Sequence, residues 1–568
     1  MYPRIFQRSQ IAPLVTGVGT TQAPIAATNL CSKGGTSTFN VELSTQANNV
    51  KTVGECSTKS ARLHLACKAA SCDGVYPISY STARGKTEWS LLAIRSTKVL
   101  HPLQFNWIES MNATSLVNPS QATKALSVFS KYPKVAVTLG ADYQTFTKAA
   151  LVAPKFLASF KSATQSQDHS IISAPPGNID FGGLVANGFT AQASNQLDFS
   201  KSLVHSLTGK SLESPVLLST IPSVATLDAL AGIGVSNVVF PETALSYAPS
   251  NSLHWGSPFH VQGASTLNAM SIDEPLSQIM SNTAIEPGRR AALALGVLGF
   301  LHFEAPGLTT NRSVVAMTTV SKTGAKFIDN LLSGLSHNPF VTASPLAPMF
   351  DSKAIGSNGS PNTRTMVNAP VSTWSARNVL TLNALINDIT SFNQGVGSVT
   401  LSSQLCTDVA QSEISGTPSQ RQDAIDAARN VLSAELRKFS VNPSTITLAG
   451  TGTSLPITLL SKANYTMTAV VHLVTNQLTF PKGANIVTSL DSSTKSLRVP
   501  VTNPRNGNLT LRVVVTTPDG HVVLARSAMQ VRIAGTSIVG YVLSFGSLFV
   551  LALWWVRTSI KRRKEPAQ

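Results

Sequence analysis

Four carboxylates in this sequence follow short apolar runs. Glu109 comes after Leu103–Ile108, Asp142 after Val135–Leu139, Asp180 after Ile171–Ala174, and Glu242 after Val238–Phe240. If those runs are strands of an α/β domain, the acids stand at carboxyl ends, where functional side chains gather in a β/α barrel. Two carboxyl groups flanking a glycosidic bond can hydrolyse it, one protonating the leaving group and the other acting as base or nucleophile. The competing reading is architectural: an acid that opens a loop commonly caps the next helix. The Pro and Gly residues near Asp180 and Glu242 suit such turns.

Other chemistry finds less support. Metal-dependent deacetylation needs an Asp base with an Asp and two His on one ion, and neither an Asp-Asp pair nor two His three residues apart occurs. His254 and His260 are six apart in a loop with Trp and Pro, a spacing that suits neither one helical face nor adjacent strand positions. Cys31, Cys56, Cys67 and Cys72 fit one or two disulfides of an exported domain, with three full connectivities. Zinc is the alternative, without a CxxC or a His pair to support it. Cys406 is expected as a small buried hydrophobe. No G-x-S-x-G occurs, and Gly182-Gly183 and Gly232–Gly234 lack phosphate-loop spacing. Neither a cofactor nor a metal is therefore expected. The basic residues are scattered and carry no recognition motif, which argues against nucleic acid.

The elements that would position these acids change character along the chain. Residues 1–30 read as a weak or truncated signal segment, with Arg4 and Arg8 ahead of an apolar stretch broken by Pro13, Gly17 and Gly19. Residues 31–100 read as a small β module. From 101 to 350, short apolar runs alternate with helical stretches (Gln121–Lys131, Phe146–Ser162, Ala225–Gly232 and Arg289–Phe303), the pattern of a mostly parallel α/β sheet, open or closed into a barrel. Residues 351–440 read as a linker and helical segment, with helices over Ala376–Phe392 and Pro418–Phe439. Residues 441–533 alternate cleanly and predict an immunoglobulin-like sandwich of about seven strands.

Residues 534–557 form a transmembrane helix. Thr536–Val556 has no charged residue and is long enough for a hydrocarbon core of about 30 Å. Trp554 and Trp555 mark one interface, and the basic tail 558–568 follows. Arg557, Lys561, Arg562, Arg563 and Lys564 against Glu565 place that end in the cytoplasm and the bulk of the chain outside. Most of the net charge of +17 then lies outside, suited to anionic polymers or lipid headgroups.

The order of parts resembles an actinobacterial family of membrane-anchored envelope proteins of unknown function, often encoded beside the lipid II flippase. The resemblance runs through Gly74-Val75-Tyr76-Pro77-Ile78 and the segment His101–Trp107. It continues through Glu304–Gly307, Asn311–Val315 and Asn338–Val341, then Leu455–Thr458, Thr517–Gly520 and the terminal helix. It implies a central domain distantly related to β/α-barrel carbohydrate deacetylases and glycoside hydrolases, which concerns fold and not activity. The expected role is a non-catalytic scaffold or binding protein in peptidoglycan assembly, with a cell-wall glycan or a membrane protein of wall synthesis as partner. The alternative is a hydrolase of a wall glycan acting through the four carboxylates.

Overall fold

The structure is a computed structural model. It describes residues 1–25, 40–44, 60–64, 72–81, 85, 87–94, 99, 101–141, 143–173, 179–212, 214–246, 257–263, 267–304, 312–351, 362–367, 373–414, 416–449, 454–502, 507–534 and 538–562. Two compact units result: Met1–Trp374 with Glu413–Pro418, and Ser375–Ser412 with Ser419–Gln568.

In the first unit, β1 (Asn40–Ser44) pairs in parallel with β2 (Ser60–His64), and β3 (Gly74–Ser81) forms an antiparallel hairpin with β4 (Thr87–Ile94). The amino-terminal arm runs beside β3: Tyr2 N donates to Pro77 O at 2.9 Å and Ile5 N to Val75 O at 2.8 Å. Met1, Ile5, Ile11 and Leu14 are buried. The hairpin lies against the helix Pro287–Glu304, and two glycines of that helix permit the approach. A Cβ on Gly296 would stand 2.3 Å from Leu91 Cβ, and one on Gly299 would stand 2.9 Å from Ala93 Cβ.

The rest of this unit is a parallel sheet that closes on itself. Its path runs β5 (Leu103–Met111), β6 (Val137–Ala141), β7 (His169–Ser173), β8 (Val216–Leu217) and β9 (Asn237–Pro241). After β10 (Phe259–Val261), β11 (Asn268–Ile272) lies beside β9 and continues the parallel set, with β10 antiparallel on its other edge. Then β12 (Ser313–Thr319) pairs with β5 along its whole length and meets β11 at Ile272↔Val315. β13 (Val341–Ala343) adds to β5, and β14 (Thr363–Arg364) to β10. Alternate side chains Ile108, Ile172, Leu217, Val239, Met270, Ile272 and Val315 share one apolar core with Leu346, Met349 and Phe350. The expected helix Phe146–Ser162 is two helices, Tyr143–Val152 and Pro154–Ala163. Pro154 has no N–H and clashes with the preceding turn, so the chain breaks there and restarts.

The second unit opens with helices Ala376–Gly395, Val399–Ser412 and Pro418–Leu436. Its strands are β15 (Phe439–Val441), β16 (Ile446–Ala449), β17 (Ser454–Ser461), β18 (Met467–Val474), β19 (Asn485–Leu490), β20 (Thr494–Pro500), β21 (Gly507–Thr516) and β22 (Val523–Ala534). They form two sheets, β15-β17-β20 and β16-β22-β21-β18-β19. The turn Thr517–Gly520 is fixed by Asp519, whose Oδ1 accepts from Ser391 Oγ at 2.6 Å, Thr517 Oγ1 at 2.8 Å and His521 N at 3.1 Å. The terminal helix is Ile538–Arg562, with Val542–Ile560 long and apolar enough to cross a membrane. Cys406 is partly exposed rather than buried, because the helix Val399–Ser412 turns Leu405 and Val409 inward instead.

Replacing Gly296 with Val should destabilise the protein by about 1–3 kcal/mol, since overpacking exceeds the few tenths gained in helix propensity. The melting temperature of the full chain in detergent checks this: a fall of several degrees is expected, and no change would contradict the tight approach.

Candidate functional site

Where strands alternate, neighbouring side chains point to opposite faces. Ile108 faces the inside of the closed sheet, so Trp107 and Glu109 point outward beneath the helices. Trp107 packs against Phe129 and Phe327, with centroids 5.5 and 6.1 Å away. Glu109 is fully buried there. Thr318 Oγ1 donates to its Oε2 and Thr323 Oγ1 to its Oε1 at 2.6 Å, while Trp107 Nε1 donates to Thr318 Oγ1 at 2.7 Å. Burial pushes the Glu109 carboxyl up to about 7, against the opposing pull of these donors and of Arg290. Arg290 stacks on Phe327 at 4.3 Å and donates to Lys322 O and Thr323 O. Glu109 thus binds the turn after β12 to β5, away from the sheet interior.

Asp180 is the N-cap of the helix Phe181–Ala186: Gly183 N donates to Oδ1 at 2.8 Å. Its other oxygen accepts from Trp374 Nε1 at 2.8 Å, and its backbone N donates to Glu413 O at 2.9 Å. Glu413 is fully buried and receives Gln192 Nε2 and Gln196 Nε2, both at 2.7 Å. Asp142 and His254 lie outside the described residues. His260 lies on β10, its Nδ1 3.3 Å from Leu267 O. Cys72 is buried and disulfide-bonded; Cys31, Cys56 and Cys67 lie outside the described residues. No cluster of three or more His, Cys, Asp or Glu able to hold a metal occurs among the described residues.

Glu242 stands apart from these. It follows Pro241, which pairs with Ile272, so Glu242 and Asp273 leave the carboxyl ends of adjacent strands side by side. Asp273 is buried, and it caps the helix Glu274–Ser281 by accepting from Leu276 N at 2.9 Å. It also forms an ion pair with Arg8 from the amino-terminal arm. Burial alone would lower the Arg8 pKa, but the charge and hydrogen bond of Asp273, with Glu242 and Glu304, hold it above its usual value. Burial pushes Glu304 up to about 7 despite Arg8 and Arg312, and its Oε2 has no hydrogen-bond donor among the described residues. Arg312 caps the helix Pro287–Glu304, donating to Leu301 O and His302 O at 3.0 Å. Burial and then Arg312 hold His302 down to about 4. Arg364, stacked on Phe259 at 5.0 Å, feels the charge of Glu242.

Carboxylates and guanidiniums therefore gather where β9 and β11 end, and of the three sequence candidates among the described residues only Glu242 is one of them. Asp273 was missed because Asn268–Ile272 is a short run, although Asp-Glu-Pro after it is a helix-start signal. Arg8 and Glu304 left no local trace, since their meeting is made by tertiary packing.

A profile described as a family of unknown function, DUF6049, matches residues 109–568. The chain belongs to that family. None of the curated proteins matches the sequence. Among solved structures, the 4-alpha-glucanotransferase of Thermococcus litoralis is similar at 10% identity and a TM-score of 0.39, over 65% of this chain and 65% of the other. This chain thus spans about two thirds of that enzyme's length. The alpha-amylase AmyC of Thermotoga maritima is similar at 10% identity and 0.38, over 60% of this chain and 94% of that one. A GH57-type branching enzyme of Pyrococcus horikoshii is similar at 9% and 0.38, over 58% and 87%. At these identities and scores the likeness carries no inference about activity.

The raised Glu109 carboxyl has a consequence for stability. Between its ordinary value of 4.5 and about 7, the folded chain keeps a proton that the unfolded chain releases. The contribution of Glu109 to stability is therefore complete below that window and declines as pH rises through it. Glu109→Gln should melt close to the wild type at about pH 5 and gain on it by about pH 8. A difference in melting temperature that does not vary with pH would refute this.

Proposed function

We propose that this DUF6049 protein is a single-pass, membrane-anchored extracytoplasmic protein that acts as a non-catalytic scaffold or binding protein in cell-envelope assembly. The observation that carries the anchoring is the terminal helix. Its large apolar side chains from Val542 to Val556 are between 50% and 69% exposed among the described residues. Leaving eleven such side chains in water instead of lipid would cost roughly 15–30 kcal/mol. The basic residues after the helix favour a cytoplasmic tail and an outer bulk. The resemblance in sequence to actinobacterial envelope proteins supports the setting at peptidoglycan assembly. On this reading the closed α/β sheet is the binding domain, and the two-sheet region is an immunoglobulin-like spacer. A non-catalytic role is supported by the work the acids already do: Glu109 holds a turn beneath the helices, and Asp180 caps a helix and holds Trp374.

A second reading is favoured by Glu242 and Asp273 at neighbouring strand ends: a hydrolase of a wall glycan, with Asp142 as a further candidate. Single substitutions Asp142→Asn, Asp180→Asn and Glu242→Gln, introduced where deletion of the gene has a phenotype, should leave growth and wall composition unchanged. Loss of function with Glu242→Gln in a stably folded protein would favour the hydrolase. Topology is checked separately by an impermeant maleimide on intact cells, in a Cys406→Ser background. Thr510→Cys should label at once and Ala567→Cys only after permeabilisation, and the reverse order would overturn the proposed orientation.

A further inference from the structure

The five-stranded sheet β16-β22-β21-β18-β19 has an unusual charge distribution. None of its strands contains an Asp or Glu, while β21 and β22 carry Arg512, Arg526 and Arg532. Alternation puts Leu509, Leu511, Val513, Met529, Val531 and Ile533 inside, so all three arginines emerge on the outer face, where they are exposed. Arg512 pairs with Ala528 and Val514 with Arg526, which makes the two arginines diagonal neighbours about 7–8 Å apart. Arg532 sits between Thr447 and Asn508 on the same face. None of the three makes an ion pair or side-chain hydrogen bond among the described residues. The nearby turn acids are already engaged, Asp491 with Lys495 and Asp519 with Ser391 and Thr517. Like charges on adjacent strands cost stability. No contact within this sheet offsets that cost.

We propose that this outer face is a binding surface for a linear polyanion, a phosphodiester- or carboxylate-bearing chain laid across β21 and β22. This goes beyond the scaffold reading by naming a ligand class and a surface, and it does not depend on which side of the membrane the unit occupies. The guanidinium forks suit bidentate contact with phosphate or carboxylate. Thr447, Asn508, Thr510 and Gln530 between and beside them supply hydrogen bonds to a hydrated polymer. From Arg526 to Arg532 the strand covers six residues, about 20 Å, a length a polymer can follow. A lipid headgroup layer roughly 5–8 Å deep could meet all three arginines only if the sheet lay flat on it. The outward positions carry no Trp, Tyr or Phe to seat such a face in a bilayer interface. The same lack of aromatic platforms disfavours single-stranded nucleic acid.

The test uses the full chain in phosphatidylcholine nanodiscs, with fluorescent long-chain polyphosphate and polygalacturonate as probes, read by anisotropy over a range of salt. The variant R512Q/R526Q/R532Q is compared with K124Q/K155Q/K161Q, which removes the same charge from the helices of the other unit. Each exposed pair is worth about 1.4- to 5-fold, so the arginine variant should bind about tenfold more weakly. Its slope of log affinity against log salt should shrink by about two. The lysine variant should stay within about twofold of the wild type. Preference for one probe assigns the phosphate or the carboxylate source. Equal losses in both variants, or no loss in the arginine variant, would overturn the proposal. So would abolition of probe binding in phosphatidylglycerol nanodiscs, which would give the face to the bilayer. Melting curves of both variants establish that each is folded, and maleimide labelling reports on topology independently.

Discussion

Closure of the parallel sheet rests on β12, which must satisfy two neighbours at once. Toward β5 it does so in full register from Ser313↔Gln104 to Thr319↔Ser110. Toward β11 it has one pair, Ile272↔Val315, because the start of that edge of β11 is already taken by antiparallel β10 at Ala269 and Asn268. The seam is therefore uneven, and polar groups are spent on both sides of it. Beneath the helices, Glu109, Thr318 and Thr323 hold the exit of β12 to β5. At the strand ends, Asp273 and Arg8 hold the start of the following helix to the amino-terminal arm. Charges in such places are tolerated only when paired or fully hydrogen-bonded, which is the condition these residues meet.

That requirement explains why Glu109, Asp180 and Glu242 do not converge. A carboxylate free to act on a bound substrate must keep lone pairs facing a crevice. Asp180 gives one oxygen to a helix start and the other to an indole, and Glu109 faces away from the sheet interior. Of the described candidates, Glu242 alone leaves its strand toward the crowded ends of β9 and β11, beside an aspartate already bonded to a guanidinium.

The alternating apolar runs made the parallel sheet legible, because each core strand needs a short β-branched segment and each crossover needs a helix. Leu103–Ile108 and Val135–Leu139 were clear for this reason. The helix Thr190–Thr208 was not, since its inward positions include Gln196 and Ser200, polar residues that only tertiary partners make tolerable. In β22 the buried positions change phase between Leu524 and Met529, at a register shift against β21, yet the pairing carries the strand through as one. Of the site, Glu242 was visible as an acid after a strand. Its neighbours Arg8 and Glu304 were not, because no local pattern foretells a contact across hundreds of residues.

The arm also sets an order of events. Arg8 meets Asp273 across 265 residues, and the Leu14 carbonyl meets the Arg289 guanidinium across 275. The arm, made long before its partners, must therefore wait for them. Contacts of such separation are entropically expensive to form and slow a folding reaction. Met1, Ile5, Ile11 and Leu14, buried at the end, are exposed throughout that interval. The arm is thus among the last parts of the unit to dock.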